Sequence, residues 1–270
     1  MAAIDVAFTV AGSGPPLYLV HGIGSRKEMW RPVVDELADS FTCVAYDLRG
    51  HGQSPAPPAP YTLDDLVDDL EALRGRLGHE SIHVAGHSLG GQIGPAFAHR
   101  YPTRAESVAL LSTAAGRTSD DGDRVRGVVA RMRATGIEAV LPTLVDRWYT
   151  EPFAAENPEI IDARIDQVMT TPPDVFLSVF DIYAETEMGP WLHDVTAPCL
   201  VLTGENDPGC SPRLNRFIHG QLPNSELVIL RDLRHSIIVE APELVTQHLR
   251  AFLSRTIDTT ARGRQASGYL

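Results

Sequence analysis

Short apolar runs recur along this 270-residue chain, separated by longer segments of helical period. Leu17–Val20, Cys43–Tyr46, Ile82–Ala85, residues 107–111, Cys199–Gly204 and Leu227–Leu230 are too short for helices. They are mostly apolar rather than alternating, as strands covered on both faces are. Residues 4–11 predict a further early strand, and Trp30–Ala38 a helix. In the segment to about Leu77, positions Leu63, Leu66, Val67, Leu70 and Leu73 share one helical face. Thr62 with an acid three residues on, Asp65, predicts a capping box at its start. A further helix is expected at 90–100. Strands alternating with helices predict an α/β fold with a mostly parallel sheet and helices on both faces.

The alternation stops between Gly116 and Asp194, where helical patterns occupy 123–135, 137–149, 158–169 and 173–185. A helical insert between sheet strands predicts a cap over the strands' carboxyl ends, where open α/β sheets bind ligands. The sheet resumes at Cys199, Ser211-Pro212 opens a helix, and Pro242 opens the last one, expected to end near Ser254. The expected organisation is a core of residues 1–115 and 195–256, a helical cap of 116–194, and a polar, disordered tail of 257–270.

Composition narrows the class. Apolar residues make up 43% and charged residues 21%, as in ordinary globular proteins. Met1–Asp5 lacks the basic-then-apolar pattern of a secretory signal. No apolar run approaches the roughly 20 residues of a membrane span. The expectation is a cytoplasmic protein with no membrane partner. The net charge of −12 disfavours nucleic acid, whose phosphates want a basic face. Residues 116–194 hold 7 Arg and 15 Asp or Glu, a net of −8, so that segment does not steer anions inward. A carboxylated substrate would need a local arginine. Cys43, Cys199 and Cys210 are odd in number and lack Cys-x-x-Cys spacing, which argues against a disulfide framework and a zinc site. Cys210 reads as a packing residue or a reactive thiol.

The candidate chemistry centres on Gly86-His87-Ser88-Leu89-Gly90, between a predicted strand and a predicted helix. A serine on such a turn has its hydroxyl pushed out above the sheet. His21-Gly22-Ile23-Gly24 follows another strand, and the N–H groups of Ile23 and Leu89 are the expected oxyanion hole. Asp207 follows the strand at 199–204 and is the candidate acid, with Glu205 as its local competitor. No carboxylate follows the strand at 107–111, where Ser112-Thr113-Ala114 stands. His235 follows the last strand and is the candidate base. The chain order Ser88, Asp207, His235 is that of a strand-turn-helix nucleophile with its partners. His21 is expected to brace the oxyanion loop, His51 to serve a turn, and His87 to line the pocket. Trp148, Trp30 and Tyr149 are candidates for shaping that pocket, with core packing the alternative for each. Arg147 is a candidate for holding a substrate carboxylate or for pairing with the insert's acids.

From about residue 4 to 255 the chain resembles the α/β-hydrolases, on this constellation, on Tyr46-Asp47-Leu48-Arg49-Gly50-His51-Gly52-Gln53-Ser54, and on Glu240-Ala241-Pro242-Glu243 after His235. Within them it is similar to 3-oxoadipate enol-lactonases and related carboxylic-ester hydrolases. That narrower likeness rests on Pro58–Thr62, Leu111–Gly116, Arg147-Trp148-Tyr149 and Thr171-Pro172-Pro173. It departs from them at Pro208–Pro212 beside the acid and at Ser236-Ile237-Ile238 beside the base. The resemblance implies hydrolysis of a small carboxylic ester or lactone through an acyl-enzyme on Ser88, with no metal or organic cofactor. A hydrolase of C–C bonds in ring-cleavage products, a cofactor-free perhydrolase, and a small-molecule receptor on the same fold are the alternatives. A carboxylate nucleophile, as dehalogenases and epoxide hydrolases need, is absent where Ser88 stands.

Overall fold

A computed structural model describes the backbone of residues 1–267 and the side chains of residues 1–257. Seven strands form one sheet: β1 (Phe8–Ala11), β2 (Pro16–Val20), β3 (Thr42–Tyr46), β4 (Ile82–His87), β5 (Ala105–Leu111), β6 (Cys199–Gly204) and β7 (Ser225–Leu230). Their spatial order is β1-β3-β2-β4-β5-β6-β7, with β1 antiparallel to β3 and the other neighbours parallel. The expected strand at 4–11 is shorter because its first residues find side-chain partners instead of a ladder. Ile4 N–H donates to Asp69 Oδ1 at 2.8 Å and Ala7 N–H to Ser54 Oγ at 2.9 Å.

The pleat explains the apolar runs. In β2, Leu17 and Leu19 join one core, and Tyr18 and Val20 the other; in β6, Leu200 and Leu202 oppose Cys199 and Val201. On one face lies α1 (Arg31–Leu37); on the other lie α2 (Leu63–Arg76) and α3 (Gly90–Arg100). Thr62 and Asp65 form the expected capping box at the start of α2. Each fully buried Leu or Val here contributes about 1.5–3 kcal/mol relative to exposure.

Five helices separate β5 from β6: α4 (Ser119–Thr135), α5 (Leu141–Trp148), α6 (Glu151–Glu156), α7 (Pro158–Thr170) and α8 (Pro173–Glu185). The segment expected as one helix over 137–149 is a 3-10 turn at Glu138–Val140 followed by α5. Pro142 takes an early position in α5, where its missing N–H costs nothing. After β6 come α9 (Pro212–Gln221), α10 (Ile237–Glu240) and α11 (Pro242–Ser267). The last helix continues to Ser267 rather than ending near Ser254, so the expected disordered tail is helical backbone over 257–267. Residues 268–270 of that tail lie outside the described residues. Trp30 does not reach a pocket. It ends the 3-10 turn Lys27–Trp30, which rotates it inward, and it is fully buried against Leu19, Val33 and Leu37 on the α1 face. Among the described residues no helix is long and apolar enough to cross a membrane.

Candidate active site

The chain leaves β2 for β3 on one side and returns through β4 on the other, so the strand order reverses between β2 and β4. In open α/β sheets a crevice opens at the carboxyl ends of such a pair. His21-Gly22-Ile23-Gly24 follows β2 there, and Ser88 follows β4. Ser88 has φ +58°, a conformation an L-residue adopts at a cost of about 1–2 kcal/mol. The surroundings impose it. Ser88 N–H donates to Leu111 O at 2.8 Å, and its carbonyl accepts from Gly91 N–H at 3.0 Å and Thr113 Oγ1 at 2.9 Å. A Cβ on Gly86 would stand 1.9 Å from Gly90 O, and one on Gly90 would stand 2.2 Å from Val20 O. Both positions therefore require glycine.

His235 Nδ1–H donates to Asp207 Oδ2 at 2.7 Å. The other carboxylate oxygen of Asp207 accepts the N–H groups of Gly209 at 2.9 Å and Cys210 at 2.8 Å. Burial works against the Asp207 carboxylate, but His235 and these two N–H donors outweigh it and hold its pKa below the usual range. Burial likewise opposes the His235 imidazolium, and the adjacent Asp207 carboxylate overrides that and raises the pKa. Glu205, the competing acid, is exposed and accepts Asp232 N–H instead. Cys210 is fully buried, its thiol 3.2 Å from the Tyr183 hydroxyl.

Ser88, His235 and Asp207 line one cavity of about 480 Å3, within the range of small-molecule sites. Ile23, His87, Arg147, Trp148 and Tyr149 also line it, whereas Leu89 is buried at the start of α3. The insert supplies much of the apolar wall, including Val125, Val128, Leu144 and Phe180. Arg147 forms no ion pair among the described residues; its neighbour Asp146 pairs with Arg234 at 2.9 Å. The insert is also bonded to the histidine loop. Ser236 N–H donates to Trp148 O at 2.8 Å, and Thr150 Oγ1 to Glu240 Oε2 at 2.6 Å.

Two neutral histidines hold the loop after β2. His21 Nε2 accepts Leu48 N–H at 3.0 Å, so its proton sits on Nδ1 and is donated to Gly22 O at 2.7 Å. His51 Nε2 accepts Gly24 N–H at 3.0 Å, and its Nδ1–H goes to Arg49 O at 3.0 Å. Burial lowers both pKa values, that of His51 to about 4.

Sequence reasoning missed Arg164. It projects from α7 into the same cavity, with Ile160, Ala163 and Gln167 beside it. The spacing i, i+3, i+4, i+7 was the available signal, since those positions share one helix face.

A family model described as the alpha/beta hydrolase fold matches residues 15–242. The chain belongs to the α/β-hydrolase family. It is 28% identical over 259 residues to 3-oxoadipate enol-lactonase 2 of Acinetobacter baylyi, covering 94% of this chain and 96% of that one. Among solved structures this α/β-hydrolase is similar to the enol-lactonase from Burkholderia xenovorans LB400. The TM-score is 0.87 and the identity 27%, with 94% and 99% of the two chains covered. It is also similar to a thermophilic esterase from Thermogutta terrifontis, with TM-score 0.85, 30% identity and 94% of each chain covered.

Proposed function

We propose that this α/β-hydrolase cleaves a small carboxylic ester or lactone through an acyl-enzyme on Ser88. The observation that carries the reading is the strained Ser88 opening into the same apolar cavity as the His235–Asp207 pair. Similarity over nearly the whole chain to an enol-lactonase and an esterase supports it.

In this reading neutral His235 takes the Ser88 proton as the oxygen attacks the carbonyl carbon. Asp207 fixes the tautomer and stabilises the imidazolium that forms. The N–H groups of Ile23 and Leu89 receive the oxyanion; loss of one such donor costs about 3–4 kcal/mol. His235 then protonates the departing alkoxide or enolate. Water, deprotonated by His235, attacks the acyl carbon and returns Ser88. The insert acts as the cap, with Trp148 and Tyr149 shaping the acyl site and Arg147 at its wall. The test is an initial-rate panel of 4-nitrophenyl esters and lactones, including an enol-lactone bearing a carboxylate, run beside Ser88→Ala. Turnover by the wild type and none by the variant is expected; equal rates overturn the assignment.

A further inference from the structure

Arg164 is a cation without an acid. Among the described residues no carboxylate pairs with it, although the insert around it is strongly acidic. Its guanidinium lies 4.4 Å from the centre of the Trp148 ring, and burial lowers its pKa to about 10, so it stays charged. Its hydrogen bonds go to backbone. Nη2 donates to Ile23 O at 2.8 Å, and Nη1 donates to Gly24 O.

Those carbonyls sit where the loop's direction is decided. A trans peptide points its C=O and N–H in opposite directions, so tying one end aims the other. The Ile23–Gly24 peptide is held at both ends, by Arg164 on its carbonyl and by His51 on its N–H at 3.0 Å. The preceding Gly22–Ile23 peptide is held at its carbonyl by His21 at 2.7 Å. That leaves its far end, Ile23 N–H, aimed by clamps on both neighbouring units. Two of the clamps belong to the core, and the third reaches across from the insert. Hydrogen bonds from a charged donor are roughly twice as strong as neutral ones. Gly24 takes φ +61° at no steric cost, and the Phe176 ring of α8 stands where its side chain would be, so a second residue of the insert meets the loop.

We infer that Arg164 is a positioning residue, through which the insert holds the loop after β2 and aims the Ile23 N–H at the reacting carbonyl oxygen. The inference rests on the acyl-enzyme reading of Ser88 and goes beyond it. The insert then does more than cover the cavity, since α7 supplies two of the hydrogen bonds that hold the loop. A loop displaced by about 1 Å costs on the order of 100-fold in rate.

The test compares wild type, Arg164→Met and Arg164→Lys on a neutral ester, 4-nitrophenyl butyrate, and a carboxylated one, 4-nitrophenyl hydrogen succinate. The rate of Ser88 labelling by a fluorophosphonate is measured alongside. Arg164→Met is expected to lose about 10- to 100-fold in kcat on both esters, with KM little changed, and to label correspondingly more slowly. Arg164→Lys, which keeps the charge but has one donor nitrogen in place of the guanidinium fork, should recover part of each loss. A loss confined to KM for the carboxylated ester would make Arg164 a substrate anchor and overturn the inference; so would unchanged kcat and labelling. The labelling arm separates the two readings. A wild type that is labelled but turns over no ester defeats the proposed substrates, while slower labelling of Arg164→Met still supports the inference. A wild type that is not labelled defeats both. Arg164→Lys remains interpretable if Arg164→Met fails to fold.

Discussion

His87 donates its Nε2 proton to the carbonyl oxygen of His235 at 2.9 Å, and the two rings lie 4.9 Å apart. The residue before the serine thus grips the backbone of the residue proposed as its base. Burial lowers the His87 pKa to about 3, so it stays a neutral donor across the working range. Replacing it by Leu keeps much of its bulk and removes the bond. Steady-state kinetics should show kcat reduced by about 5-fold, in line with a neutral hydrogen bond of about 1 kcal/mol. An unchanged kcat would show that His235 is held adequately by Asp207 alone.

The pH profile follows from the His235–Asp207 pair. In the proposed mechanism the unprotonated imidazole is the active form, and the neighbouring carboxylate raises its pKa above the ordinary 6.5. The acid limb of kcat/KM should therefore lie above pH 6.5, with activity lost as pH falls through it. Asp207→Asn removes the charge, so the limb of the residual activity should move to lower pH. Its kcat should fall by about 10⁴-fold through loss of the tautomer lock. A limb that moves upward in this variant contradicts the pairing.

Strain at Ser88 makes a stability prediction separable from activity. Glycine adopts φ +58° at no steric cost. Ser88→Gly should lack activity and still melt above Ser88→Ala, by the equivalent of about 1 kcal/mol, measured by calorimetry. A lower midpoint than Ser88→Ala would mean the turn is not strained.

Gly86 supplies the opposite case. A Cβ there meets the Gly90 carbonyl oxygen at 1.9 Å, and backbone does not yield as a side chain does. Gly86→Ala should destabilise by more than about 3 kcal/mol in urea unfolding or fail to accumulate as folded protein. Wild-type stability for that variant would show that the turn has room which the close approach denies.

Most of the fold was legible because its strands are covered on both faces and so read as short, mostly apolar runs. The turn at Ser88 was legible because crowding demands Gly86 and Gly90. Other features depended on partners far away in sequence. Residues 4–7 look like strand, but the N–H groups of Ile4 and Ala7 bond to the side chains of Asp69 and Ser54. Trp30 follows a glycine loop and has the chemistry of a pocket residue, yet the 3-10 turn before it sends it into the core. Arg164 is one of 22 arginines, and its spacing with Ile160, Ala163 and Gln167 marks a shared helix face without saying what that face meets. Its importance exists only once α7 is laid across the loop after β2. No apolar periodicity marks residues 258–267, so the last helix was cut short in the sequence reading.

The most direct test of the acyl-enzyme on Ser88 is intact-protein mass spectrometry after rapid acid quench of the reaction with 4-nitrophenyl butyrate. The account predicts one added acyl group, mapped to Ser88, formed with the first equivalent of nitrophenol and absent from Ser88→Ala. Turnover by Ser88→Ala at the wild-type rate, or an acyl group mapped to another residue, would contradict it.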